Sequence, residues 1–369
     1  MDGIDYSTAS PEIVQEEAKG LITATEFHLF LNTTSCILIA VALFGIVTNI
    51  INIKTFTAMG AFSDGINLTF LYLSVSDVLL CFWALFAAVF SGLLLSHETR
   101  VLPQLHLSTP GSHKTYTGFI FPMDPTPLGI VGLNMIQVFN LTTISITIYL
   151  AVARCLGVLQ PLKFRDSVSV RNTSIFFSIS FLLSLTSRLP LLAHTDIVMM
   201  FDKRFNSSRP TLSFKPNRVH IKDITWLAVD MTGSVIAQII LLICIYILLR
   251  SLRAAVRFRS RAVRGGQFDL NQDQDKPNKD MRKTPSRENR IAKQMLLVSA
   301  IFLVCNTPKL LLYVATNVVP DFDYDGQYRY TYLCSVSVQV IFDTLNSSLN
   351  IFVYNSYNSK FSKALLGKN

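Results

Sequence analysis

Leu68–Leu95 reads LTFLYLSVSDVLLCFWALFAAVFSGLLL, 28 residues with one charged side chain, Asp77. About 20 apolar residues in a helix cross the hydrocarbon core of a bilayer, so this segment spans a membrane and carries a carboxyl group at membrane depth. An ionisable group in hydrocarbon is expensive, which marks Asp77 as a functional position. Six further stretches share the composition: Ser35–Lys54, Leu128–Ala153, Ile175–Leu192, Ile224–Leu249, Met295–Val319 and Tyr332–Tyr354. The reading is an all-α membrane protein, a seven-helix transmembrane bundle. It divides into an N-terminal tail (1–34), a seven-span domain (35–354) and a short helix with its tail (355–369). In the last part Phe361, Ala364 and Leu365 share a helical face among Lys360, Lys363 and Lys368, the pattern of an amphipathic eighth helix on the membrane surface.

Half of the 369 residues are apolar and only 15% are charged, too few for a soluble protein of this size. The net charge is +9, and Lys and Arg collect in alternate loops. Arg250–Lys293 holds thirteen of them, whereas the N-terminal tail carries Asp2, Asp5, Glu12, Glu16, Glu17 and Glu26. The positive-inside rule then predicts an extracellular N-terminus and a cytoplasmic C-terminus, in a multi-pass protein of the plasma membrane. One basic loop, Pro190–Asp223, runs against this bias. The basic charge is explained by topology, and nucleic acid is not an expected partner. The tail lacks the basic start and short apolar core of a cleavable signal, so the first span is expected to act as its own insertion signal.

Arg250, Arg253, Arg257, Arg261 and Arg264 recur at helical spacing beyond the fifth span and Gly265-Gly266 ends the run, which suits a helix that continues into the cytoplasm. That stripe fits either anionic membrane lipid or a cytoplasmic partner. Cys36 and Cys334, at the outer ends of the first and last spans, are either a disulfide or two free thiols. Asn206 in an outer loop, and Asn32 beside the first span, head glycosylation sequons. All six histidines lie outside the spans or at their outer rim without zinc-ligand spacing, which disfavours a membrane hydrolase. A transporter or channel is another class to weigh, and the internal repeats usual in transporters are absent from the sequence.

The polar residues inside the spans recur one motif per span. Gly45-Ile46-Val47-Thr48-Asn49, Leu73-Ser74-Val75-Ser76-Asp77, Ala153-Arg154-Cys155, Gln160-Pro161-Leu162, Phe302-Leu303-Val304-Cys305-Asn306-Thr307-Pro308 and Asn346-Ser347-Ser348-Leu349-Asn350-Ile351-Phe352-Val353-Tyr354 follow in order. Together they resemble the rhodopsin-like (class A) G-protein-coupled receptors, over roughly Ser35 to Leu366, and within them invertebrate peptide-like or chemosensory receptors. Four departures stand out. Ala153 replaces the acid before the arginine, Asn306 a tryptophan and Ile351 a proline. Gly129 stands where the outer disulfide would begin, with no cysteine in Pro190–Asp223 to complete it.

The resemblance implies a receptor that binds an extracellular peptide or small molecule and activates a heterotrimeric G protein by helix rearrangement, without covalent chemistry. It implies an activation switch of Arg154, Glu288, Tyr246, Tyr354, Asn350, Pro308 and Phe302, with Glu288 bridging to Arg154; the alternative for Arg154 is a side chain that snorkels to the interface. Asp77 with Thr143, Asn346 and Asn350 could hold a sodium ion as an allosteric cofactor, or Asp77 could be a protonated, hydrogen-bonded structural residue. Ile136, where amine receptors carry an aspartate, disfavours an amine ligand. Arg188, Asp230, Lys309 and Asp343, with Gln137, Asn140, Asn306, Tyr313 and Gln339, are the remaining ligand-site candidates. A Lys309–Asp343 contact is expected among them.

Overall fold

In the computed structural model the described residues are 21–90, 123, 125–160, 168–202, 207–265, 284–324 and 326–367. Seven helices among them are long and apolar enough to cross a membrane. The first, α1, covers Ala24–Ala58 and begins eleven residues before the expected Ser35. A capping box sets that start. Glu26 N–H donates to Thr23 Oγ1 at 3.3 Å, and Thr23 N–H donates to Glu26 Oε2 at 2.9 Å. The Thr-x-x-Glu signal was present in the sequence but lies outside the apolar run. Asp64 caps α2 (Gly65–Ala87) through Ile66 N–H, and Ser169 caps α4 (Val170–Thr186) through Asn172 N–H. Between α1 and α2, Gly60 takes a left-handed φ of 76°, open to glycine at no steric cost.

The remaining spans are α3 (Pro125–Leu159), α5 (Thr232–Gly265), α6 (Thr284–Val318) and α7 (Arg329–Ser348), the last prolonged by Asn350–Tyr357. The helix α8 (Ser359–Leu365) is capped by Asn358 and anchored by Phe361, which is fully buried. As the arginine spacing predicts, α5 runs unbroken to Gly265. The helices close into a ring through α1–α2, α5–α6, α6–α7 and α7–α1 contacts, with α3 touching α2, α4, α5 and α6. Exposed Phe44, Val47, Leu182, Leu183, Ile239 and Leu242 cover the outside, where lipid rather than water meets them. Serine and threonine hydroxyls at membrane depth turn back onto their own helices, for example Thr142 to Val138 O at 2.9 Å.

The outer connection between α4 and α5 forms structure that the sequence reading missed. After a short turn, Leu189–Ala193, the strands β1 (Thr195–Asp202) and β2 (Ser207–Phe214) pair antiparallel, Thr195 opposite Phe214 and Asp202 opposite Ser207. Buried Arg209 on β2 donates from Nη2 to Met123 O, 2.8 Å, just ahead of α3. The hairpin is thus tied to the outer end of α3 without a disulfide. All six cysteines are free thiols, Cys36 exposed and Cys334 buried. Asn32 lies within α1, where Thr34 is buried and bonded to Phe30 O at 2.8 Å, a setting that does not suit a bulky surface glycan. Asn206, the other sequon, lies outside the described residues, as does the 91–122 connection between α2 and α3.

Candidate functional site

The deepest polar cluster is built on Asp77, which has no exposed surface. Its Oδ2 accepts from Asn350 Nδ2 at 2.9 Å, and its Oδ1 lies 3.1 Å from the donor Thr143 Oγ1. Thr143 Oγ1 is also 3.0 Å from Ser76 Oγ, which in turn donates to Phe139 O. One carboxylate therefore joins α2, α3 and the end of the α7 span. Asn49 completes the junction from α1 by a different route, donating to Gly45 O and Ser347 O, each at 2.9 Å. Gly45 is needed there, because a Cβ would meet Ser348 Oγ at 2.4 Å and Cys81 Sγ at 2.5 Å. Asn346, expected in the cage, is only half-buried and stands outside this hydrogen-bonded set.

Helix α7 stops at Ser348 and restarts at Asn350 although Ile351 stands where the family has proline. The cause is in the neighbouring helix. Asn49 Nδ2 takes the Ser347 carbonyl and Thr48 Oγ1 approaches that of Ser348 at 3.4 Å, while Phe352 N–H bonds only three residues back, to Leu349 O. Carbonyls captured by side chains no longer hold the regular i→i−4 ladder, and a break follows.

Arg154 sits half-buried at the inner end of α3, and its Nε is buried without a hydrogen-bond partner. The expected partner Glu288 is on the first turns of α6, but its side chain is outside the described residues. Asp64, the cap of α2, is an acid whose field reaches Arg154; sequence spacing did not suggest it. Phe302 is buried in the core shared by Ile144, Leu248 and Tyr354. Tyr354 packs among Phe56, Phe70 and Phe361, ring centroids 5.0–5.7 Å away, and its hydroxyl is buried without a partner. Tyr246, expected to turn toward Arg154, lies 64% exposed on the outer face of α5. Bringing it inward requires α5 to rotate. Cys155, next to Arg154, places its thiol 3.6 Å from Cys244 O and so ties α3 to α5. Pro308 lies within α6, where it removes a backbone hydrogen bond.

Nearer the outer side a second cluster holds four charges. Arg188 and Asp230, each 1% exposed, form a two-pronged ion pair, with Nη1 to Oδ2 at 3.0 Å and Nη2 to Oδ1 as the second bond. Asp230 lies in a π-helical turn, Trp226–Met231, that leads into α5. Such turns re-aim a side chain, and none was legible beforehand. Buried Lys309 donates to Gln137 Oε1 at 2.8 Å, instead of pairing directly with Asp343 as expected. Asp343 accepts from Gln339 Nε2 at 3.2 Å and is faced by Asn140. Asn306 is buried with Nδ2 unpartnered, as is Arg188 Nε. Tyr313 separates this cluster from an outer chamber of about 330 Å³ walled by Lys222, Trp226, Met231, Asn317 and Phe322. Lys222 pairs with Asp323, and both line it. Ile136 belongs elsewhere. It is fully buried with Leu80, Ala84 and Val340 in an apolar core, because one helical step from Gln137 turns it away from the charges.

A profile of the 7 transmembrane receptor (rhodopsin family) matches residues 129–354, more than half of the chain. The chain belongs to this family. It is thus a multi-pass membrane protein of the G-protein-coupled receptor type. The match covers α3 to α7; the Asn49 and Asp77 motifs lie before it, and the structure brings them to the same junction as Asn350. No curated protein matches the chain.

Proposed function

We propose that this receptor admits an extracellular ligand rich in oxygen acceptors, a peptide or a small carboxylate-bearing chemosensory molecule, and activates a heterotrimeric G protein. The observation that carries the ligand class is the surplus of buried donors in the outer cluster. Arg188 Nε and Asn306 Nδ2 have no acceptor, and the Lys309 ammonium, with three donors, uses one on Gln137. Of the two acids there, Asp230 has both oxygens taken by Arg188 and Asp343 has one taken by Gln339. A buried donor left unpaired costs about 1–3 kcal/mol, so a ligand oxygen reaching these groups recovers energy on binding. Binding that draws α3, α4, α6 and α7 together would bias α6 at Pro308, where one backbone hydrogen bond is missing, and the break at Leu349, and shift the inner ends around Arg154. The basic inner extension of α5, with exposed Arg250, Arg253 and Arg257, supports a cytoplasmic docking face and an extracellular N-terminus at the plasma membrane.

The Asp77 junction supports a sodium role within this reading. Asp77 and the Thr143 hydroxyl are hard oxygen ligands, the Asn350 amide would add its oxygen on turning over from the Nδ2–Asp77 bond, and Ser347 Oγ faces them without a well-formed hydrogen bond of its own. Bound there, sodium would supply positive charge that holds Asp77 ionised. Reconstituted receptor with purified G protein tests both proposals. Peptide and carboxylate pools should contain a fraction that stimulates nucleotide exchange in wild type and not in Arg154→Ala at equal expression. Basal exchange should fall when sodium replaces N-methylglucamine. Undiminished stimulation of Arg154→Ala sinks the switch, and equal basal rates in the two salts sink the sodium role.

A further inference from the structure

We propose a second ligand site, at the outer ends of α1, α2, α3 and α7, for an anionic single-chain amphiphile of the fatty-acid type. It shares no residue with the charged cluster and does not depend on the reading of that cluster. A slot of about 190 Å³ lies there between Leu31 and Leu38 of α1, Ala88 after α2, Leu133 of α3, and Leu333 and Val340 of α7. This exceeds the roughly 150 Å³ of an apolar cavity that takes up benzene. Phe27, Leu31, Thr34 and Leu38 form its α1 wall at helical spacing, and eleven residues at 1.5 Å each make that wall about 16 Å long. The slot is therefore shaped for an extended chain.

Its chemistry disfavours water as a filling. No charged residue lines it among the described residues. Thr34 Oγ1 bonds back to Phe30 O at 2.8 Å and Ser337 Oγ to Leu333 O at 3.0 Å. A water needs two to four polar partners, and of the lining serine and threonine hydroxyls only Ser35 Oγ is not so engaged, too few to hold one. The mouth is different. Tyr324 and Leu333 are shared with an adjoining recess of about 290 Å³ whose other walls are Arg329 and Tyr330. The Arg329 guanidinium stacks 4.7 Å above the Tyr330 ring and donates from Nη2 to Tyr330 Oη at 2.9 Å. It has no acidic partner among the described residues. A braced, unpaired guanidinium above a dry slot fits a carboxylate head and an alkyl tail.

The test uses purified full-length receptor in a steroid-based detergent, which has no alkyl chain to compete. Radiolabelled dodecanoate and dodecanol are the probes, read by scintillation proximity. Both should bind saturably to wild type. Ser337→Phe, which fills the slot, should weaken both, whereas Arg329→Gln should weaken dodecanoate about tenfold and leave dodecanol unchanged. Should Ser337→Phe fail to purify as a monodisperse species, the Arg329→Gln comparison decides alone. Absence of saturable dodecanoate binding overturns the proposal. That outcome includes a slot already filled by the chain's own 91–122 connection, or by a phospholipid retained in native mass spectrometry. Equal losses of both probes with Arg329→Gln overturn the anionic head.

Discussion

Removing one partner of the Arg188–Asp230 pair should cost far more than removing both. Each side chain is 1% exposed, and the two-pronged geometry uses both carboxylate oxygens. Arg188→Met leaves Asp230 buried without its counter-charge, and Asp230→Leu does the same to Arg188. Breaking a buried pair in this way costs about 3–5 kcal/mol, whereas replacing both partners by apolar residues of similar size is near neutral or stabilising. At about 1.4 kcal/mol per factor of ten, each single variant should lose at least two orders of magnitude in its folding equilibrium. The double variant Arg188→Met/Asp230→Leu should recover nearly all of it. The assay is the fraction of monodisperse receptor left after graded heating in detergent, with surface expression alongside. A double variant no better than the worse single one refutes the reasoning, as does a single variant indistinguishable from wild type. If the double variant folds, its ligand response adds a second answer: retained potency makes the pair a strut, and lost potency places Arg188 Nε on the ligand.

Three further outcomes follow from the same contacts. Ile351→Pro should be tolerated with unchanged surface expression, because the break in the α7 span already exists, while Asn49→Leu should destabilise by about 1–3 kcal/mol through the abandoned Ser347 carbonyl; the reverse order in heating assays contradicts the side-chain origin of the break. Tyr354→Phe removes a buried hydroxyl that has no partner, so thermal stability should rise by about 1 kcal/mol while stimulated exchange falls if that hydroxyl is used in the active state; a destabilised variant would show a hidden partner. The hairpin is held by the Arg209–Met123 bond and all cysteines are free, so a phosphine reductant should leave ligand potency unchanged; loss of response on reduction would contradict that tether.

Much of the architecture was legible in the chain because a bilayer imposes it. Apolar runs such as Leu68–Leu95 must be helical to satisfy their backbone groups, so number and order of spans follow from composition alone. The single acid in that run, Asp77, announced its junction for the same reason. What was not legible depends on which helix faces which. Gln137 and Ile136 are adjacent in sequence, yet one receives the Lys309 ammonium and the other closes an apolar core. The π-helical turn at Trp226–Met231 sets the direction of Asp230, and no periodicity signals it. Ile351 pointed away from a break in the seventh span, but Thr48 and Asn49, some 300 residues earlier, produce one. Composition, charge bias and the polar residue of each span thus determined the seven-helix receptor and where its polar groups lie in depth. Tertiary structure alone decided their partners, because hydrogen bonds and ion pairs form between helix faces whose rotation is fixed only when the whole bundle packs.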